Sequence, residues 1–155
     1  MIQKIISGGQ TGADRAALDF AIAHHIPHAG WCPKGRLAED GAIDARYSLQ
    51  ETTISESEQR TGKNVQDSDG TVIFTISAHL DGGSKTTAEF AHKHGKPWTH
   101  LHQADGGDVS GQLLRFVDQH HISILNVAGS RASKEPGVYD FVWSTLSEAF
   151  GQPHQ

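Results

Sequence analysis

A single cysteine, Cys32, stands in a chain of 155 residues. One thiol excludes an internal disulfide and suits a reducing compartment. Long apolar runs are missing too. No stretch approaches a membrane span, and the opening MIQKIISGGQ lacks the apolar core of a secretory signal. The expected location is the cytoplasm. Nor is there an excess of positive charge: 13 Lys and Arg against 18 Asp and Glu leave a formal charge of -5. Nucleic acid and anionic membrane surfaces are therefore not the expected partners, since both call for a basic face.

Two phosphate-binding signatures are also absent. G-x-x-x-x-G-K-[ST] fails because Gly62-Lys63 is followed by Asn64 and Gly95-Lys96 by Pro97. G-x-G-x-x-G does not follow the first apolar segment, and no acidic residue closes the second. A nicotinamide dinucleotide and a P-loop nucleotide are both disfavoured.

What is present is glycine, 17 residues of it, placed mostly between apolar segments. Strands are expected at residues 2–7, 28–32, 71–76, 98–101 and 122–127. Helices are expected at 12–25, 55–66, 86–94 and 110–121, with a last one from Pro136 onward. Residues 33–53 read as a long irregular loop, a length that is often functional. Strands alternating with helices imply a parallel sheet covered on both faces. The expected fold is a single α/β domain over residues 1–155, a Rossmann-like doubly wound sheet of about five strands. Its expected strand order is 2-1-3-4-5, with the ligand crevice between the loops after the first and third strands.

Those two loops carry the clearest chemistry. Gly8, Gly9, Gln10, Thr11 and Gly12 form a turn whose backbone N–H groups can approach an anion, and the following helix adds the positive end of its dipole. Thr11 is the expected N-cap, with Asp14 completing a capping box. Asp14 has other readings as well, as a hydroxyl partner or a Mg²⁺ ligand. The second loop offers Gly82, Gly83, Ser84, Lys85, Thr86 and Thr87, adding hydroxyls and a cation. Glu89 is expected on the first turn of the next helix, where the dipole favours a carboxylate. A third loop holds Ser130, Arg131 and Lys134, and Arg131 suits two parallel bonds to an oxyanion. Lys34 and Arg36 bring further charge near the end of the second strand. Cys32 reads as a buried, inert thiol. The eleven histidines are scattered, and hydrogen-bonded or solvated roles are the default for them.

Several strings resemble the molybdenum cofactor carrier protein family: Gly8-Gly9-Gln10-Thr11-Gly12-Ala13-Asp14, Gly30-Trp31-Cys32-Pro33-Lys34-Gly35-Arg36, Ala38-Glu39-Asp40-Gly41 and Asn126-Val127-Ala128-Gly129. The resemblance runs from Ile5 to beyond Tyr139. It implies a Rossmann-like, usually oligomeric carrier that shelters the pterin-based molybdenum cofactor (molybdopterin) as cargo. The wider lysine-decarboxylase-like superfamily includes lonely-guy-type phosphoribohydrolases, which cleave nucleoside 5'-monophosphates at a P-G-G-x-G-T-x-x-E loop. Gly82, Gly83, Thr86 and Glu89 match that spacing, while Asp81 and Lys85 depart from it. The leading expectation is a carrier rather than an enzyme, with no catalytic residue. Its phosphorylated pterin or nucleotide is held by Gly8 to Gly12, Lys34, Arg36, Gly82 to Thr87, Ser130 and Arg131, with Mg²⁺ as an optional companion. A homo-oligomer, dimer or tetramer, is expected from the aromatic last helix, which carries Tyr139, Phe141, Trp143 and Phe150. The alternative is the hydrolase, with Glu89 stabilising an oxocarbenium-like transition state or acting as acid/base.

Overall fold

Short, β-branched, apolar segments flanked by glycine become strands, and the stretches with apolar residues three and four apart become helices between them. The computed structural model describes residues 2–54, 57–104 and 106–151. In chain order the elements are β1 (Lys4–Ile6), α1 (Ala13–Ala23), β2 (His28–Ala29), β3 (Trp31–Cys32), β4 (Leu37–Ala38), β5 (Gly41–Ala42), β6 (Gln50–Glu51), α2 (Ser57–Gln66), β7 (Gly70–Thr75), α3 (Gly82–Lys93), β8 (Trp98–His102), α4 (Val109–Gln119), β9 (Ile124–Gly129) and α5 (Val138–Phe150). The expected start of α2 at residues 55 and 56 lies outside the described residues.

The central sheet has five parallel strands in the order β2-β1-β9-β7-β8. The α/β class and the doubly wound sheet are as expected. The strand order is not: the last strand lies in the centre, between the first and the third. Its sequence explains this. Leu125, Asn126 and Val127 are all buried, as a strand covered on both faces requires. In contrast, Trp98-Thr99-His100-Leu101-His102 reads as an edge, and β8 is one. Moving β9 to the front of the chain and renumbering turns the observed order into 3-2-1-4-5, the doubly wound arrangement. The chain is thus a circular permutation of that arrangement, and its ligand crevice belongs outside the carboxyl ends of β9 and β7.

One face of the sheet packs on α1, α4 and α5 and the other on α3, with α2 lying against α3 and β3. On the first face Ile5, Val72, Phe74, Leu101, Leu125 and Val127 meet Phe20, Leu113, Phe141 and Leu146 in one apolar cluster. Phe141 is buried there, Trp143 and Phe150 pack against the cluster, and Tyr139 donates its hydroxyl to Asp19 Oδ2 at 2.6 Å. Of the α5 aromatic residues, Phe141 thus belongs to the core and the others cover its edge. α1 and α5 pack directly on one another, and Tyr139, Trp143 and Phe150 stay half-buried.

The expected second strand breaks at Gly30, where the φ is +146° and a Cβ would collide with the Ser7 carbonyl. Beyond it the chain leaves the main sheet, and β3 pairs with β6 instead. The segment expected to be irregular is organised by that pair and by the β4–β5 hairpin. Its centre is a second small core of Leu18, Cys32, Ile43 and Tyr47. Among the described residues no helix is long and apolar enough to cross a membrane.

Candidate functional site

A cavity of about 380 Å³ opens at the carboxyl ends of β9, β7 and β1. Its position is the crevice that the permuted strand order defines. Its size is in the range of small-molecule sites, about 300–1,000 Å³. Three walls meet there.

The first wall is the start of α3. The sequence suggested a loop through Gly83 and a helix from Thr86, yet the helix already begins at Gly82. Diglycine reads as a breaker, but at a helix start its cost is small and the space around it is open. The N-cap residue Asp81 makes no side-chain cap bond, because its carboxylate pairs with Lys134. Gly82, Gly83, Ser84, Thr86 and Thr87 all line the cavity. The hydroxyls of Thr86 and Thr87 donate to the carbonyls of Gly82 and Gly83, at 3.2 and 3.0 Å. They therefore offer the cavity acceptors, whereas the free N–H groups of the first helical turn offer the donors. Lys85 is exposed and outside the cavity. Glu89 is also exposed and outside it, beyond the first turn on which it was expected.

The second wall is the loop after β9, where Ser130, Arg131 and Lys134 line the cavity. Glu135 fixes this loop to the end of β7. Its Oε1 accepts from Ile76 N at 2.9 Å and from Ser130 Oγ at 2.6 Å, and its Oε2 accepts from Ser77 N at 2.9 Å. Burial pushes the Glu135 carboxyl up, but the Ser130 hydroxyl, the two N–H groups and Lys134 outweigh it, leaving it below its ordinary value. Arg131 pairs with Glu39 at 3.3 Å. Glu39 is held below its ordinary value by the hydroxyl of Ser133 and then that of Thr11. The cations on this wall thus have carboxylates of the chain as partners, Arg131 with Glu39 and Lys134 with Asp81.

The third wall comes from the first glycine loop and α2. Gly8, Gln10 and Asp14 face the cavity with Glu58, Arg60, Thr61 and Asn64. Gly9, Thr11 and Gly12 do not line it. Gly12, not Thr11, is the N-cap of α1, with a φ of +80° and no side-chain cap bond. Thr11 is used elsewhere: its hydroxyl bonds Glu39 and accepts from Ala132 N at 3.1 Å. Asp14 does reach back along the chain, accepting from Gln10 N at 3.2 Å. It also meets Arg60 at 3.4 Å. Arg60 lies across Gly8, donating to its carbonyl at 3.1 Å. Burial pushes the Asp14 carboxyl above its usual value against the opposing pull of Arg60, the Gln10 N–H and Ser7. Among the described residues no three His, Cys, Asp or Glu side chains gather as a metal site. A Mg²⁺ at Asp14 would therefore need ligand oxygens and water to complete its shell.

Two cations expected near the site stand apart from the cavity. Arg36, at a φ of +54°, donates to the carbonyls of Ile43, Asp44, Tyr47 and Leu49 and so staples its own loop. Lys34 is exposed. Cys32 is buried, and burial pushes its thiol up, which keeps it protonated and unreactive.

The sequence reasoning did not single out Arg60, Asn64 or Asn126 for the site. Asn126 carried a readable signal, a polar residue within the apolar run Ile124-Leu125-Asn126-Val127. It is buried, donates to Thr71 Oγ1 at 3.1 Å and lines the cavity. Asn64 likewise completes the backbone of β3, accepting from Trp31 N at 2.7 Å and donating to Trp31 O at 3.1 Å. Those bonds bring α2 over the site.

Residues 5–150 match the model of the Circularly permutated YpsA SLOG family. The permutation in that description agrees with the strand order derived above. No curated protein matches the chain. Among solved structures, a "Putative molybdenum carrier protein" from Syntrophus aciditrophicus is 49% identical, with a TM-score of 0.94 over 96% of this chain and 95% of that one. The strand order, the family match over nearly the whole chain and this structural neighbour agree, and the chain belongs to the Circularly permutated YpsA SLOG family.

Proposed function

We propose that this protein binds and carries a phosphorylated small molecule, the molybdenum cofactor or a related pterin or nucleotide, with its phosphate at the start of α3. One observation carries the reading. The first turn of α3 is uncapped by its own side chain and opens into the cavity beside Lys134 and Arg131. Unpaired N–H groups, a helix dipole and two cations suit a phosphate. The molybdenum-carrier name of the Syntrophus aciditrophicus protein, at 49% identity, supports a cargo of that kind. Mg²⁺ accompanying the phosphate and assembly into a dimer or tetramer belong to the same proposal.

A hydrolase built on Glu89 has no comparable support, because that side chain lies outside the cavity. A carrier needs only ground-state affinity, whereas a hydrolase must bind more tightly as charge develops on the sugar.

Gly83→Val tests the placement. No atom lies within 4 Å of a Cβ at Gly83, so the fold should persist while a branched side chain screens the N–H groups. Affinity for inorganic phosphate, and for whatever mass spectrometry finds co-purifying, should fall about tenfold or more. Unchanged affinity in a folded variant would overturn the placement. Light scattering at micromolar concentration tests the assembly, and a pure monomer would contradict it.

A further inference from the structure

The cavity is chemically two-ended. At the α3 end it presents the N–H groups of the first helical turn, with Lys134 paired to Asp81 and Arg131 paired to Glu39 beside them. Two strands away, under β1, it presents the Asp14 carboxylate with Arg60 against it. β1 and β7 are separated by β9 alone, and two strand spacings amount to about 10 Å. A phosphate at Gly82–Ser84 therefore places the other end of a nucleotide-sized molecule near Asp14.

Asp14 is only 8% exposed, yet it lines the cavity. Burying a carboxylate is costly unless it is paired or used. The pairing here is partial. The Gln10 N–H and the Arg60 guanidinium both converge on Oδ2, at 3.2 and 3.4 Å. The neighbouring Ser7 hydroxyl donates to the Val127 carbonyl at 2.7 Å and also bears on the Asp14 carboxyl. Acceptor capacity on Oδ1 is left for a ligand. A Cβ at Gly8 would stand 2.7 Å from Arg60 Cδ, and its absence lets Arg60 lie across the loop against Asp14.

A carboxylate fixed in this way repels a second anion and rejects a ring edge that offers lone pairs. It accepts from adjacent N–H donors, the pattern of a cyclic amide carrying an exocyclic amine. We propose that Asp14 selects the cargo by its ring end, taking phosphorylated heterocycles whose edge presents two neighbouring N–H donors. The inference rests on the phosphate placement above, which sets the direction in which the ligand lies.

Calorimetric titration of the full chain with GMP, IMP, AMP and guanosine tests both levels. GMP offers a ring N–H and an amine to Asp14, IMP the ring N–H alone, and AMP a ring lone pair in that place. The expected order is GMP over IMP over AMP, with about ten- to hundredfold between the extremes. In Asp14→Asn the GMP-to-AMP ratio should collapse toward one. Equal affinity of the wild-type protein for the three nucleotides overturns the selection and leaves the phosphate reading intact. So does a GMP preference undiminished in a folded Asp14→Asn. Guanosine binding as tightly as GMP overturns the phosphate reading instead, and failure of every nucleotide overturns both. The wild-type series alone decides the matter if Asp14→Asn does not fold.

Discussion

Two diglycines lie on the way into helices at the same edge of the sheet, and they do opposite things. Gly8-Gly9, with Gly12 behind it, is filled from within. A Cβ at Gly9 would stand 2.7 Å from Leu49 Cδ1, and one at Gly12 would stand 2.5 Å from the Ser130 carbonyl and 2.8 Å from Ala132 N. Ala13 N donates to that same Ser130 carbonyl at 3.1 Å. Here glycine lets two stretches of backbone and an arginine pack against one another. Gly82-Gly83 is empty by comparison. Nothing lies within 4 Å of a Cβ at Gly83, and at Gly82 only Lys134 Nζ does, at 3.5 Å. The same residue type serves close packing in the first loop and an open surface in the second. Glycine-rich sequence therefore does not by itself mark an open wall; the space in front of the glycine does.

The comparison can be broken by placing a methyl group at each loop in turn. Gly12→Ala should have the largest effect. A positive φ and two backbone contacts under 3.0 Å imply a loss of about 3 kcal/mol or more. Thermal unfolding should show a fall in Tm of about 6 °C or more. A Tm within a degree of the wild type would mean that this loop is not tightly packed.

Glu135→Ala acts on the seam that joins the end of β7 to the loop after β9. It removes an acceptor from two backbone N–H groups and the Ser130 hydroxyl. With allowance for partial exposure the expected loss is about 1–2 kcal/mol, or about 2–8 °C in Tm. The pH dependence has a definite sign. The folded pKa lies below the ordinary value of 4.5, so this stability is present above that value and is lost as pH falls through the folded pKa. Melting curves of the two proteins should differ at pH 7 and converge in acid. A gap that widens in acid would contradict the clamp.

Gly83→Ala should have the smallest effect and the opposite sign. With open space around it and a helical position, alanine should raise Tm by about 1–4 °C, corresponding to about 0.5–1 kcal/mol. A large fall would mean that the second loop is packed like the first, and the distinction between the two would disappear.

The alternation of strands and helices was legible because each element carries its own period in the sequence. Strand order was less so, since it depends on which strand is covered on both faces. The polar edge Thr99-His100-Leu101-His102 and the apolar centre Leu125-Asn126-Val127 held that information. The site was legible in its glycine loops and opaque in its side chains. Arg36 near a loop end reads as an anion ligand, yet four carbonyls of its own loop take its protons. Thr11 reads as a cap, yet it bonds a residue more than a hundred positions away. Arg60 sits in a polar helix whose pattern gives it no role, and only the fold brings it to Gly8 and Asp14. Local pattern reports backbone tendency well, whereas the partner of a charged side chain is a tertiary fact.

The central claim is that the open glycine pair, not the packed one, receives the anion. The most direct measurement is a titration of the ¹⁵N-labelled protein with inorganic phosphate, followed by amide resonances. The expected result is saturable shifts concentrated at Gly82, Gly83 and Ser84, with Gly9 and Gly12 unmoved. Shifts concentrated at Gly9 and Gly12, or no saturable shift at Gly82 to Ser84, would contradict the account.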